Sequence, residues 1–133
     1  MSKFSNEIKL TDEAWSIAIK TRDPICRFPG CNRPTSDACH VFKRGNMSVR
    51  FDLRNGIGGC RECHSFQETH PGEAEYLFRR ILGDSLYKEL DARSRQTVKL
   101  YPNDLTIIRK SIKLYTKNLK TDNDGRSTSI TAG

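Results

Sequence analysis

The sequence predicts an α+β protein: a zinc-braced core of two short strands and a helix, with additional N- and C-terminal helices. Three observations predict it. All five cysteines and all three histidines fall in one window, from Cys26 to His70. Apolar residues recur at helical spacing on both sides of that window. Proline and glycine punctuate the chain where those helical stretches end.

The first helix is expected to start at Thr11, a capping residue followed by Asp12 and Glu13, which suit the positive end of the helix dipole. Trp15, Ile17 and Ile19 supply its apolar side, and Asp23-Pro24 stops it. Between Cys26 and Cys31, Pro29-Gly30 makes a tight turn that lets two thiolates face one ion. Ala38 to Phe42 reads as a short strand and Lys43 to Asn55 as a long basic loop. Gly56 to Gly59 fits a second strand or a turn running straight into Cys60, and a short helix then carries Cys63, His64 and Gln67.

Pro71 suits the first position of a further helix, with Glu73 and Glu75 in its first turn. Tyr76, Leu77, Phe78, Ile81 and Leu82 form its apolar face, and Gly83 ends it. Asp84 caps the next helix, which contains Leu86, Tyr87 and Leu90. Pro102-Asn103-Asp104 opens the last, where Leu105, Ile108, Ile112, Tyr115 and Leu119 recur at helical spacing. The chain thus divides into a single domain over 1–120, with a core over 24–70 and a helical extension over 71–120. The polar stretch 121–133 has the composition of a disordered tail.

Composition narrows the function. The 23 Lys and Arg residues outnumber the 16 Asp and Glu, giving a net charge of +7, and nucleic acid is the obvious polyanionic partner. The hydrophobic share of 35% is low, so a structural metal would contribute much to stability. No apolar run is long enough to span a bilayer, and the N-terminal residues lack the apolar stretch of a signal peptide. No membrane association is therefore expected, and the expected location is the cytoplasm, that of the host cell if the chain is phage-encoded. Thiols stay reduced there, so paired cysteines favour a metal over disulfides.

Zinc takes four ligands in a tetrahedron, and thiolate is a preferred structural ligand. Cys26-x4-Cys31 and Cys60-x2-Cys63 each form a turn that presents two sulfurs, so these four residues are expected to close one structural zinc site. The functional chemistry lies between the pairs. Phosphodiester hydrolysis needs an activated water, a Lewis acid on the phosphate and a stabilised leaving oxygen. His40 can take the proton from water, since an imidazole suits that role near neutral pH. His64, directly after the second pair, can bind a second metal ion, and Asn55 can hydrogen-bond across the loop and hold the His40 strand. Glu68, one helical turn after His64, can add an oxygen ligand. His70 is either a further ligand or a cap for the helix beginning at Pro71.

Cys39-His40, Asn55 and Cys60-x2-Cys63-His64 resemble the motif of HNH nucleases, including the nine-residue step from Asn55 to His64. The resemblance implies a ββα-metal fold with one catalytic divalent ion (Mg2+, Mn2+, Ni2+ or Zn2+). It implies His40 as general base, His64 as metal ligand and Asn55 as the residue that orders the loop. More narrowly, Cys39 to Gly45, Val49 to Asn55 and Ala74 to Lys99 are similar to the phage NinG/Rap recombination nucleases. That likeness implies endonuclease action on branched or recombining double-stranded phage DNA, such as junctions or D-loops. Many HNH enzymes carry Asp immediately before the base. Here that residue is Cys39, a soft ligand favouring transition metals or, equally, a small buried residue. NinG-like chains often carry Asn where His64 stands.

In nucleases of this shape the helix and the loop between the strands straddle the DNA backbone. Lys43, Arg44, Arg50 and Arg54 are therefore expected to contact phosphates, with little reading of sequence. A twofold junction would suit a homodimer. Two alternatives stand beside this reading: a non-catalytic zinc-knuckle module that binds DNA or a recombinase, and an HNH nuclease of phage DNA packaging.

Overall fold

The computed structural model describes residues 2–132, with side chains described over 2–122. It is an α+β structure of five helices and one small antiparallel sheet. In chain order these are α1 (Lys3–Arg22), β1 (Asp37–His40), a 3-10 turn (Leu53–Asn55), β2 (Gly56–Gly59), α2 (Arg61–Thr69), α3 (Pro71–Leu82), α4 (Asp84–Ser94) and α5 (Pro102–Ala132). Of the tail expected over 121–133, no side chain from 123 onward is among those described.

The first helix starts eight residues earlier than Thr11. Ser2 caps it, accepting from the Ser5 N–H at 3.1 Å. Thr11 sits in the helix interior, fully buried, and its hydroxyl donates back to the Glu7 carbonyl at 2.7 Å. A threonine can satisfy itself either way, so its side chain did not mark the helix start. Thr11, Ala14, Trp15, Ala18 and Ile19 form the buried stripe, at the spacing of one helical face. Ile17, expected on that face, is 54% exposed. The helix ends where expected, at Asp23, whose carboxylate accepts from the Gly58 N–H at 2.9 Å and ties α1 to β2.

Strands β1 and β2 pair in the register Asp37↔Gly59, Ala38↔Gly58, Cys39↔Ile57, His40↔Gly56. The first strand stops at His40, short of the expected Phe42, because Val41 and Phe42 turn to bond with Asn55. All of β2 is buried, and its small residues let α1 approach closely. A β-carbon on Gly56 would lie 2.3 Å from the Trp15 ring.

The sheet separates two apolar clusters. One contains Cys39, Ile57, Phe28, Ala74, Phe78 and Tyr87, beneath the cysteine pairs. The other joins α1 to α5 through Trp15, Ile19, Phe51, Leu105 and Ile112. Val49 and Phe51, buried within the expected basic loop, anchor that loop to the core. Helix α3 begins at Pro71 and ends at Gly83, whose φ of +87° only glycine adopts without strain. Asp84 is the first residue of α4 but makes no capping bond. Of the expected apolar face of α3, Phe78 is buried while Tyr76 is 61% exposed. Among the described residues, no helix is long and apolar enough to cross a membrane.

Candidate functional site

Cys26, Cys31, Cys60 and Cys63 converge from the turn before β1 and the start of α2, their sulfurs all within 4.8 Å of one another. Four sulfurs about 2.3 Å from one zinc stand roughly 3.8 Å apart in a tetrahedron. Sγ of Cys31 and Sγ of Cys60 are 3.8 Å apart, so the cluster has the size of a tetrathiolate metal site. Cys60 caps α2, and the Cys63 N–H donates to its sulfur at 3.4 Å. That bond, at the positive end of the helix, outweighs desolvation and brings the Cys60 thiol down to about 7. Burial raises the Cys26 and Cys63 thiols.

Beside this cluster lies a cleft of about 1170 Å³, lined among others by His40, His64, Gln67, Glu68, Lys43 and Arg44. The His40 ring stacks on Trp15, with centroids 3.9 Å apart and planes 9° from parallel. Its Nε2 lies 3.0 Å from the Arg50 carbonyl oxygen. A carbonyl only accepts, so Nε2 carries the proton and Nδ1 keeps its lone pair. Among the described residues Nδ1 has no hydrogen-bond partner. Burial pushes the imidazole down to about 4, which keeps it neutral at physiological pH. The Gln67 amide on α2 donates to the His40 carbonyl at 2.7 Å and clips β1 to the helix.

Asn55 is fully buried and holds the loop over 41–55 at three points. Its amide donates to the carbonyls of Phe42 and Val49, each at 3.1 Å, and its oxygen accepts from the Phe42 N–H at 2.8 Å. The side chain thus bonds across the loop, as its position between β1 and the second cysteine pair led us to expect. Asn55→Ala would strand those backbone groups, and the expected destabilisation is about 3 kcal/mol. Urea denaturation of the zinc-loaded protein checks this; a loss below about 1 kcal/mol would contradict the assignment.

His64 stands on α2 with Nδ1 2.9 Å from Asp37 Oδ2 and Nε2 3.5 Å from Glu68 Oε1. Glu68 thus faces His64, as its helical spacing implied. The carboxylate of Asp37 also takes Arg61 Nε at 3.1 Å. Burial opposes the ionisation of Asp37, but the bonds from His64 and Arg61 outweigh it and hold the carboxyl below its ordinary range.

Sequence reasoning missed Asp37, although a signal existed: it is the sole acidic residue between Asp23 and Asp52. It also read Trp15 only as core.

Other expected site residues are placed elsewhere. Cys39 is fully buried, packed in the apolar cluster under the sheet and outside the cleft lining, and burial raises its thiol to about 12. Strand alternation explains this: Cys39 and His40 point to opposite faces of β1. His70 stacks on Phe66 at 4.4 Å, does not line the cleft and makes no side-chain cap to α3. Of the four expected phosphate contacts, Lys43 and Arg44 are exposed at the cleft and form no ion pair among the described residues. Arg50 is committed to Asp12, with bonds of 2.6 and 3.0 Å, and Arg54 pairs with Asp52 at 3.0 Å and Glu89 at 3.1 Å. These acids lie far away in sequence or across a turn, so charge patterning in the loop alone overstated its free cations. Set against known proteins, the chain matches no protein-family profile, no curated protein and no solved structure.

Proposed function

We propose that the chain is a zinc-braced, metal-dependent endonuclease of the HNH type. It hydrolyses phosphodiester bonds in double-stranded DNA with little sequence preference, and its substrates are branched or recombining DNA. The observation that carries this reading is the state of His40. Its Nε2 donates to the Arg50 carbonyl, and its Nδ1, without a hydrogen-bond partner among the described residues, belongs to a ring that lines the cleft.

In this reading Nδ1 accepts the proton of the attacking water. Trp15 fixes the plane of the ring, while Asn55 and Gln67 hold its loop and strand. Lys43 and Arg44 bind the phosphates beside the scissile bond. His64 Nε2 and Glu68 Oε1 are the groups that would hold a divalent ion. Their 3.5 Å separation suits two ligands about 2.1 Å from one centre, and an imidazole with a carboxylate accepts Mn2+, Ni2+ or Zn2+ readily. Such an ion supplies Lewis acidity to a phosphate oxygen and stabilises the departing one.

The test is nicking of supercoiled plasmid by zinc-loaded protein, with Mg2+, Mn2+, Ni2+ or additional Zn2+ supplied singly and His40→Ala as control. Cutting that needs an added ion and vanishes in the variant supports the proposal. Equal DNA binding by both proteins, with no cutting under any ion, would instead make the chain a zinc-knuckle binding module.

The ion pairs refine the DNA contact. Lys43→Ala and Arg44→Ala should each lower the slope of log affinity against log salt by about 0.9. Arg50→Ala and Arg54→Ala should leave that slope nearly unchanged while lowering stability. A gel-shift series across salt concentrations separates the two pairs, and equal slopes for all four variants would refute the division.

A further inference from the structure

We infer that Asp37 is a positioning residue of the ion site: its carboxylate fixes the ring orientation and tautomer of His64, turning the Nε2 lone pair toward Glu68. The inference rests on the nuclease reading and deepens it.

The geometry leaves few alternatives for the ring. A carboxylate only accepts, so the 2.9 Å contact makes His64 Nδ1 the protonated nitrogen. In the neutral imidazole Nε2 then presents a lone pair to a second carboxylate oxygen, Glu68 Oε1, at 3.5 Å. Two lone pairs that face each other repel unless a proton on Nε2 or a metal ion lies between them, and the two occupants are what the titration below separates. The arrangement is thus a carboxylate–imidazole pair aimed at an oxygen donor, the pattern by which outer carboxylates orient metal-binding histidines.

Asp37 itself is not free to be a ligand. Its Oδ2 receives both His64 Nδ1 and Arg61 Nε, and its Oδ1 receives Arg61 Nη2 at 3.4 Å. Its place at the first residue of β1, paired opposite Gly59, brings it beside α2 one residue before the second cysteine pair begins. The zinc cluster and the sheet register therefore jointly set the position of the carboxylate under His64. Glu68 is 70% exposed along its side chain and Asp37 only 13%, which matches a solvent-facing ligand and a mostly covered brace.

The experiment is titration of Mn2+ into zinc-loaded protein, reading free Mn2+ by EPR, for the wild type, Asp37→Ala, Asp37→Asn and His64→Ala. Zinc content and unfolding midpoint serve as controls for folding. Asp37→Ala should weaken Mn2+ binding about 10- to 100-fold, with Asp37→Asn between it and the wild type, because the amide oxygen still accepts from Nδ1–H. Nitrogen-15 NMR of the Mn2+-free proteins gives a second readout. The neutral His64 ring should be the Nδ1–H tautomer in the wild type and a mixture in Asp37→Ala.

Wild-type affinity and tautomer in Asp37→Ala, with binding abolished by His64→Ala, would overturn the role of Asp37 and leave the nuclease reading standing. Absence of Mn2+ binding by the wild type, or full binding by His64→Ala, would overturn the ion site at His64 and Glu68 and with it the role of Asp37, while the nuclease reading itself stands or falls on the nicking of plasmid DNA.

Discussion

Cys60→Ser, or removal of zinc by a chelator, is expected to unfold the centre of the protein while leaving helix behind. Zinc bound by four thiolates contributes on the order of 10 kcal/mol to folding in small metal domains, comparable to the whole stability of an ordinary domain. Cys60 makes the change most severe, because its sulfur serves three purposes. It stands in the metal cluster, it caps α2 through the Cys63 N–H, and it closes the apolar cluster that contains Cys39 and Ile57. The α1–α5 cluster contains none of the four cysteines. Thermal melts should therefore lose the main cooperative transition, whereas far-UV circular dichroism should retain a helical remnant. Elemental analysis of the native protein should give one zinc per chain. A metal-free protein that melts cooperatively at the native temperature would refute the structural zinc.

The second large effect concerns His40. His40→Gln keeps a donor for the Arg50 carbonyl and much of the ring's volume over Trp15, but offers no comparably basic nitrogen. On the proposed nuclease reading, nicking should fall about 100- to 10,000-fold, the usual worth of a positioned general base, while DNA affinity and zinc content stay unchanged.

The pH dependence follows from the direction of the shift. Burial lowers the imidazole to about 4 in the folded protein, against about 6.5 when the chain is unfolded. As pH falls below 6.5 the unfolded chain takes up a proton that the folded protein refuses until about 4. Stability is therefore lost across that window, by about 3 kcal/mol at most from this group, and levels off below it. His40→Gln should remove this component, which paired urea titrations at a series of pH values would show. If His40 is the base of the proposed reaction, the same shift places the acid limb of nicking nearer 4 than 6.5. A limb at 6.5 in the wild type would mean that His40 titrates as an exposed histidine.

The parts of the site legible in the sequence were those governed by short range. Cys26-x4-Cys31 and Cys60-x2-Cys63 each close within one turn, so their spacing alone marked two half-sites, and the structure brings all four sulfurs together. Glu68 follows His64 by one helical turn and faces it. Asn55 was identified from its position between strand and cysteine pair, and it does bond across the loop. Pro71 and Gly83 mark the ends of α3 because one lacks a backbone donor and the other tolerates positive φ.

Other features had no short-range marker. Thr11 can bond forward as a cap or back along a helix, and only the packing of α1 on α5 and the sheet selects the second. Arg50 looked like a free cation in a basic loop until Asp12, on another element, came within 2.6 Å.

Spacing in the chain was enough to set the chemical inventory and its local geometry: two cysteine turns, one imidazole on a strand, a second imidazole with a carboxylate one turn on, and the helices that frame them. Turns and helices repeat over a few residues, so these relations are carried by spacing alone. Which groups meet across long separations was settled by the folding of distant elements onto one another. It set Trp15 against His40, the Arg50 carbonyl on Nε2, Asp37 beneath His64, and Cys39 away from the cleft. Those meetings depend on the register of a four-residue sheet and on the burial of α1 against it. A shift of one residue in that pairing would turn every side chain of β1 to the other face.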